Sequence, residues 1–250
     1  MQNRATTRAK SEKTPLWLGL ASVALPFIHG IAKLSIRGKE NVPASGPFIL
    51  APNHYSEIDP LIMGVAMYHC GRMPRFLAKA SLFKVPVVGG ILRASGQVPV
   101  ERSGSTRTAD PLAGAADLIA KGHSVIVYPE GSLTRDPDLW PMRGKLGAVK
   151  AALAHDIPIV PAAHWGTQHV MPRYGKRISL FPRKRIDIAF GEPVDLSEFA
   201  GRSSDAAALA VATDRVMARI AALLGELRGE TPPAERWDPA KNDQTETGRF

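Results

Sequence analysis

The chain has 250 residues, a formal net charge of +9 at pH 7 and an apolar fraction of 44%. That length suits one α/β domain with a short appendage, and that apolar fraction is ample for a core. The single cysteine, Cys70, excludes an intramolecular disulfide and indicates a reducing compartment. The positive charge favours an anionic partner, which can be a nucleic acid, an acidic membrane face or a phosphorylated substrate.

The N-terminus combines basic charge with an apolar run over residues 15–31. A bilayer-spanning helix needs about 20 apolar residues, whereas this run is shorter and contains Pro26. It also lacks the small-residue cleavage site that follows a secretory signal. We therefore expect residues 15–37 to form a helix that lies in the membrane interface or partly inserts there, behind a basic arm. A buried amphipathic core helix is the alternative.

The body of the chain, residues 38–228, alternates apolar runs of strand length with helical stretches. The predicted strands are 48–51, 97–100, 125–128, 157–162 and 186–190. The predicted helices are 60–69, 106–121, 146–154 and 203–227. This alternation predicts an α/β sandwich, with helices around a largely parallel or mixed sheet. Residues 229–250 contain few large apolar side chains and are expected to form a disordered tail.

Residues 53–59 place a histidine and an aspartate five positions apart, directly after the first predicted strand. The Asp59-Pro60 pair is typical of a helix start, which puts His54 on a strand-to-helix loop. A loop of this kind can aim a base at a substrate. Asp59 would then hold one imidazole nitrogen of His54 and leave the other free to accept a proton. Capping the helix is a second role for Asp59, and the two roles are compatible.

The sequence offers this base no convincing protein nucleophile. No serine lies in a Gly-x-Ser-x-Gly elbow. Cys70 has no activating neighbour in sequence and is expected to be a small buried thiol. The natural nucleophile is therefore a substrate hydroxyl that His54 deprotonates, in an acyl transfer without a covalent enzyme intermediate.

Three further segments are candidates for binding the substrate. Arg102 follows the predicted strand 97–100 and precedes small residues, so its guanidinium and nearby amides can meet a phosphate. Glu130 lies in the turn after strand 125–128, at an edge where α/β sheets bind ligands. Lys145 lies at the start of a predicted helix, which makes a reasonable anion site.

Metal and nucleic-acid sites are not expected. His164 and His169 are spaced like metal ligands, but no cysteine or carboxylate stands close enough in sequence to complete a set. The aromatic residues are too few and too scattered to form base-stacking platforms, and no nucleic-acid-binding motif is present. A basic nucleic-acid binder stays only as an alternative, which predicts salt-sensitive binding.

Four blocks, in this order, resemble the glycerolipid acyltransferase family that includes the 1-acyl-sn-glycerol-3-phosphate acyltransferases. Residues 53–59 match the family pattern Asn-His-x-Ser-x-x-Asp, and residues 96–102 match a glycine, a short apolar strand and an arginine. Residues 128–132 match aromatic-Pro-Glu-Gly-Thr/Ser, and residues 159–161 match a proline-centred apolar strand. The resemblance covers residues 35–195, most of the chain.

The resemblance implies a role for each matched residue. His54 would be the general base for the acceptor hydroxyl, with Asp59 as its orienting partner. Arg102 would bind the acceptor phosphate, and further acceptor contacts would come from Lys79, Glu130, Gly131, Ser132, Arg135 and Lys145. The family usually has an arginine directly after Gly-Thr, whereas this chain has Leu133. We expect Arg135 to substitute from two positions further on.

The resemblance implies an acyltransferase of phospholipid biosynthesis. It would move a fatty acyl group from an acyl-CoA or acyl-carrier-protein thioester to the free hydroxyl of 1-acyl-sn-glycerol-3-phosphate, giving phosphatidic acid, without a cofactor. Its partners would be this lysophosphatidic acid, the thioester donor and anionic lipids at the cytoplasmic face of the membrane. The alternatives are another lysophospholipid or glycolipid acceptor, and a non-catalytic membrane-binding protein of the same fold.

Overall fold

A computed structural model of the chain describes residues 12–100, 113–175 and 177–245, and it shows alternating helices and strands over these ranges. The helices are α1 (Pro15–Ile31), α2 (Asp59–His69), α3 (Val88–Ala94), α4 (Ala113–Ala120), α5 (Gly147–His155) and α6 (Ala206–Arg228). The strands are β1 (Ala32–Arg37), β2 (Ile49–Pro52), β3 (Leu77–Lys79), β4 (Val98–Val100), β5 (Val125–Ile126), β6 (Ile159–Trp165) and β7 (Lys184–Phe190).

The main sheet has the strand order β1-β7-β6-β2-β5. Neighbouring strands are parallel except β6 and β7, which are antiparallel. Strands β3 and β4 form a separate parallel pair, linked to β5 by a bridge between Phe76 and Ile126. Because β5, β2 and β6 run in the same direction, the loops that follow them meet at one edge. The expected α/β fold with a mixed sheet is confirmed.

Strand β2 shows why helices cover both faces of this sheet. All four of its residues are buried, as a strand inside a parallel sheet requires. Ile49 and Ala51 point to a core shared with α5 and α6, whereas Leu50 points to a core shared with α1 and α2. The period-2 alternation of a strand thus divides one apolar run between two cores.

Most predicted elements agree with the structure to within a few residues, but β5 is shorter than predicted, and β3 and α3 are missing from the prediction. Strand β5 covers only Val125–Ile126, although the Val127 N–H still donates to Leu50 O at 2.9 Å. Strand β3 has three residues, of which only Leu77 is a large apolar side chain, so the sequence gives no strand pattern there. The start of the predicted helix 106–121 lies outside the described residues up to 112.

The N-terminal segment differs from the expectation. The helix α1 ends at Ile31, and residues 32–37 form β1, an edge strand parallel to β7, rather than part of a membrane segment. Its apolar and polar residues alternate, which suits a strand with one covered face. Within the described ranges, none of the helices combines the length and the apolar character that crossing a bilayer demands.

Helix α1 packs against the body with one face and leaves other apolar side chains exposed. Trp17 and Ile28 are buried, and α1 contacts α2. Leu18, Val23 and Phe27 are exposed to solvent. The helix therefore has a packed face, as in the core-helix alternative, and an exposed apolar face as well.

The C-terminal segment also differs from the expected disorder. Helix α6 ends at Arg228, its C-cap Gly229 has a φ of +69°, and the chain then turns back onto the body. Arg143 N–H donates to Trp237 O at 2.9 Å, and Arg236 forms an ion pair with Asp214 on α6. Residues 229–245 therefore make defined contacts with the domain, and residues 246–250 lie outside the described residues.

Candidate active site

His54 and Asp59 lie side by side at the carboxyl end of β2. His54 Nδ1 is 3.0 Å from Asp59 Oδ2, and both side chains are largely buried. The same carboxylate oxygen accepts the backbone N–H groups of Tyr55 and Ser56, each at 2.8 Å. Asp59 caps the turn before α2 rather than the helix, whose N-cap is Ile58. One carboxylate thus shapes the loop and holds the imidazole.

Asp59 carries a negative charge at neutral pH despite its burial. Burial by itself would raise its pKa, but the charge interaction with His164, the hydrogen bond with His54 and the Thr167 hydroxyl together hold the pKa below the usual value. Thr167 Oγ1 donates to Asp59 Oδ1 at 2.6 Å. An ionised Asp59 accepts a hydrogen bond from the Nδ1–H of His54, so Nε2 of that ring is left as the basic nitrogen.

A second histidine, His164 on β6, holds the loop from the neighbouring strand. Its backbone N–H donates to Asn53 Oδ1 at 2.9 Å, and Asn53 Nδ2 donates back to His164 O at 3.2 Å. Its Nε2 lies 3.0 Å from Asn53 O, and because a carbonyl oxygen only accepts, Nε2 carries the proton there. Burial lowers the pKa of His164, and the negative charge of Asp59 opposes this shift.

His164 is therefore a structural member of the site. In the part of the chain that the structure describes, no three histidine, cysteine or carboxylate side chains are grouped so that they could hold a metal. Tyr55 adds a third contact between His164 and the loop that carries His54, since its hydroxyl donates to His164 O at 3.0 Å. The sequence did not reveal this role, because more than 100 residues separate His164 from the loop that it holds.

Glu130, on the loop after β5, holds the backbone of the base. Its Oε1 accepts the His54 N–H at 2.9 Å, and its Oε2 accepts the Met142 N–H at 3.0 Å. The side chain is fully buried, which raises its pKa to about 8 although both N–H groups oppose the shift. Both oxygens of Glu130 thus contact the backbone, whereas the sequence predicted a place in the acceptor pocket.

Tyr128 stacks on the imidazole of His54. The two ring centroids are 4.0 Å apart and the ring planes differ by 24°. The Tyr128 hydroxyl is buried and has no hydrogen-bond partner among the residues that the structure describes. Together with Asp59, this ring fixes the orientation of the imidazole. The aromatic position of the third motif therefore serves the base directly.

The other predicted substrate residues on this loop group beside Glu130. Gly131 has φ +73°, and a Cβ placed there would lie 2.9 Å from Lys145 Cδ, so the lysine side chain crosses over this glycine. The Lys145 N–H also donates to Pro129 O at 2.8 Å. Ser132 is buried, and so is Arg135, which is among the largest fully buried side chains. The structure therefore brings Gly131 and Lys145 together and places Arg135 in the interior.

The predicted phosphate ligands fall partly outside the described structure. Lys79 ends β3, is exposed, and pairs in register with Val100 at the end of β4. Arg102 lies outside the described residues. The parallel pairing places Lys79 beside the end of the strand that leads to Arg102, and phosphate binding by the arginine stays a prediction.

Comparison with known proteins shows which family the chain is similar to. Residues 33–165 match a family model described as Acyltransferase. The chain is 32% identical over 205 residues to a 1-acyl-sn-glycerol-3-phosphate acyltransferase of Bacillus subtilis (strain 168), covering 78% of this chain and 92% of that protein. It is 33% identical over 146 residues to the chloroplastic 1-acyl-sn-glycerol-3-phosphate acyltransferase BAT2 of Brassica napus, covering 58% of this chain. That match spans 41% of the plant protein, less than half of its length.

A solved structure has the same fold. The 1-acyl-sn-glycerophosphate (LPA) acyltransferase PlsC of Thermotoga maritima superposes with a TM-score of 0.61 at 24% sequence identity, covering 88% of this chain and 80% of that chain. The matched range 33–165 spans more than half of the chain and contains His54, Asp59, Glu130 and His164. The chain belongs to the Acyltransferase family.

Proposed function

We propose that this protein transfers a fatty acyl group from an acyl thioester to the free hydroxyl of 1-acyl-sn-glycerol-3-phosphate, giving phosphatidic acid. The observation that carries this proposal is the contact of His54 with an ionised Asp59 in a chain of the Acyltransferase family. The names of the Bacillus and Brassica relatives support the choice of acceptor.

The site supports direct transfer to the acceptor. His54 Nε2 takes the proton of the acceptor hydroxyl as the oxygen attacks the thioester carbonyl, and Asp59 stabilises the imidazolium that forms. The tetrahedral intermediate then collapses: the new C–O bond stays, the C–S bond breaks, and the departing thiolate receives the proton from His54. General-base catalysis of this kind contributes about 10²–10⁴-fold.

Two possible protein nucleophiles are poorly suited to compete with the acceptor. Ser56 is on the same loop as His54, but its hydroxyl donates to Met171 O at 2.6 Å. Burial raises the pKa of Cys70 to about 11, so its thiol is not ionised at neutral pH. Both observations favour a mechanism without an acyl-enzyme intermediate.

For the acceptor phosphate we assign Arg102, Lys79 and Lys145. Lys145 supports this assignment because its side chain crosses Gly131, next to the glutamate that holds His54. Lys79 supports it because it lies exposed at the end of a parallel strand, where α/β sheets bind ligands. The buried Arg135 is placed to support this loop from the interior.

A groove of about 520 Å³ between α1 and α2 is the proposed place for an acyl chain. Its lining is almost entirely apolar and includes Trp17, Leu61 and Val65. Pro60, the residue after Asp59, also lines it, so the groove begins beside the base. With the exposed apolar face of α1, it supports a position at a membrane surface, for which we propose the cytoplasmic face.

Turnover with a panel of lipids tests this function. Purified protein is given acyl-CoA or acyl-carrier-protein thioester with lysophosphatidate, other lysophospholipids or a glycolipid, and both free thiol and lipid product are measured. We expect phosphatidic acid from lysophosphatidate at a rate above that of any other product. Product from another acceptor alone would overturn the assigned substrate, and the absence of thioester consumption with every acceptor would overturn the activity.

A further inference from the structure

Residues 177–185 combine an exposed apolar tip with basic flanks. Phe181 is 77% exposed, Ile178 is 51% exposed and Leu180 is 36% exposed. Four cations flank this tip: Arg177, Arg183, Lys184 and Arg185. Apolar side chains grouped on a surface in this way are typical of an interaction site.

This segment lies at the same edge of the sheet as His54. Strands β6 and β7 are antiparallel, with Trp165 opposite Asp187, so the segment before β7 lies where β6 ends. The Ser179 N–H donates to Val170 O at 2.7 Å, and the neighbouring Met171 O accepts the Ser56 hydroxyl. The segment is thus joined, through one turn, to the loop that carries the base.

The segment also meets the end of α1. Arg183 Nε donates to Ala32 O at 3.0 Å, and Ala32 pairs in register with Lys184. Ala32 directly follows α1, and the exposed Phe27 lies about one helical turn before that end. Two exposed apolar surfaces, one from α1 and one from the segment, therefore approach each other at the edge that holds the active site.

The chemistry of this surface matches the interface of an anionic bilayer. Apolar tips enter the boundary between headgroups and acyl chains, while arginine and lysine pair with lipid phosphates. Two hollows beside the tip offer space for headgroups: one of about 350 Å³ lined by Arg183, Lys184 and Arg185, and one of about 480 Å³ lined by Arg177 and Ile178. Asp187 also lines the first hollow and balances part of this charge through its ion pair with Arg185.

We infer that residues 177–185 form a second membrane contact, which together with α1 seats the active-site edge of the sheet on an anionic bilayer. This contact rests on the proposed membrane position of the enzyme, and vesicle binding measures it without turnover. Substrate drawn from the bilayer would then reach His54 across a short path.

Vesicle binding tests this contact. Wild-type protein, Phe181→Ser and Arg177→Gln are sedimented with vesicles of phosphatidylcholine alone or with phosphatidylglycerol added. We expect the wild type to prefer the anionic vesicles, and Phe181→Ser to weaken binding about tenfold through lost apolar burial. Arg177→Gln should weaken it about fivefold, the usual effect of one cation at an anionic surface.

Matched substitutions on α6 serve as controls. Val211 and Arg219 are exposed there, so Val211→Ser and Arg219→Gln should bind like the wild type. Equal binding by all five proteins would overturn the inference. So would self-association that Phe181→Ser abolishes without any change in vesicle binding, which would identify a second copy of the chain as the occupant. Competition by free phosphate beyond that of chloride at equal ionic strength would likewise contradict a bilayer contact.

The proposed activity and this contact can fail separately. If His54→Ala abolishes turnover while the segment variants bind vesicles like the wild type, the membrane contact is contradicted and the proposed activity is supported. If the wild type transfers no acyl group but its vesicle binding depends on Phe181, the proposed activity is contradicted and the membrane contact is supported.

Discussion

Glu130 Oε1 accepts the backbone N–H of His54 at 2.9 Å, so a buried glutamate on one loop holds the base on another. From the opposite direction, the Thr134 N–H donates to His54 O at 2.7 Å. The loops after β2 and β5 are therefore joined at the residue that is proposed to do the chemistry. This arrangement makes the position of the imidazole depend on groups that do not touch the substrate.

The contribution of Glu130 to the stability of the protein should fall as pH rises from about 5 to about 8. Burial raises the pKa of Glu130 from 4.5 to about 8, so the folded state binds more protons than the unfolded state over that window. Glu130 therefore makes the unfolding free energy decrease with pH there, by at most about 1.4 kcal/mol per pH unit. The lowered pKa values of His69, His123 and His164 act in the opposite direction. Chemical denaturation at several pH values measures this slope.

The variant Glu130→Gln isolates this effect. It removes the titrating carboxyl, so the slope that belongs to this residue should disappear. A pH dependence that is unchanged in the variant would show that Glu130 does not titrate in this window.

The substitution Asp59→Asn should lower kcat by about 10²-fold or more and leave the protein folded. The amide keeps an oxygen for the N–H groups of Tyr55 and Ser56, but it removes the charge that stabilises the imidazolium. Steady-state kinetics separates this effect from binding, because KM should change much less than kcat. A KM raised by about 10²-fold with an unchanged kcat would contradict the assigned role.

The substitution Tyr128→Phe should leave turnover within a few-fold of the wild type. The phenyl ring keeps the stacking on His54, and only a buried hydroxyl is lost. Since that hydroxyl has no hydrogen-bond partner in the described structure, its removal should raise the unfolding free energy by about 1 kcal/mol. Thermal denaturation measures the change, and a lower melting temperature would show that the hydroxyl has a stabilising contact.

The substitution Gly131→Ala should impair both stability and acceptor binding. At φ +73° an alanine costs about 1–3 kcal/mol, and its Cβ would displace the side chain of Lys145. Gly201→Ala is a matched control, because its φ is +74° and a Cβ there meets open space. We expect both variants to lose similar stability, with a raised KM for lysophosphatidate only in Gly131→Ala. If KM stays unchanged in both variants, the assignment of Lys145 to the acceptor site is contradicted.

The pairing of His54 with Asp59 could be predicted because both residues lie within one short motif after a fully apolar strand. The groups that surround the pair could not, since Thr167 and His164 come from more than 100 residues away and only the strand order brings them near. Glu130 was recognised as a site residue, but its contact with the backbone depends on the approach of two loops.

The N-terminal strand β1 could not be predicted from its local sequence pattern for a different reason. In β1, Lys33, Ser35 and Arg37 alternate with Leu34 and Ile36 directly after an apolar helix, so the pattern resembles the basic flank of a membrane segment. Pairing with β7 decides the structure of this stretch, and that strand lies about 150 residues further along the chain. Local patterns therefore predicted the site loop better than the edge of the sheet.

The most direct test of the central claim is the rate of thiol release from an acyl thioester in the presence of lysophosphatidate, compared between the wild type and His54→Ala. His155→Ala, an exposed histidine at the end of α5, provides the matched control. General-base catalysis by His54 predicts a loss of at least about 100-fold for His54→Ala and an unchanged rate for His155→Ala, with a cooperative thermal unfolding transition in all three proteins. Retention of more than a few per cent of the wild-type rate by a folded His54→Ala protein would contradict the account.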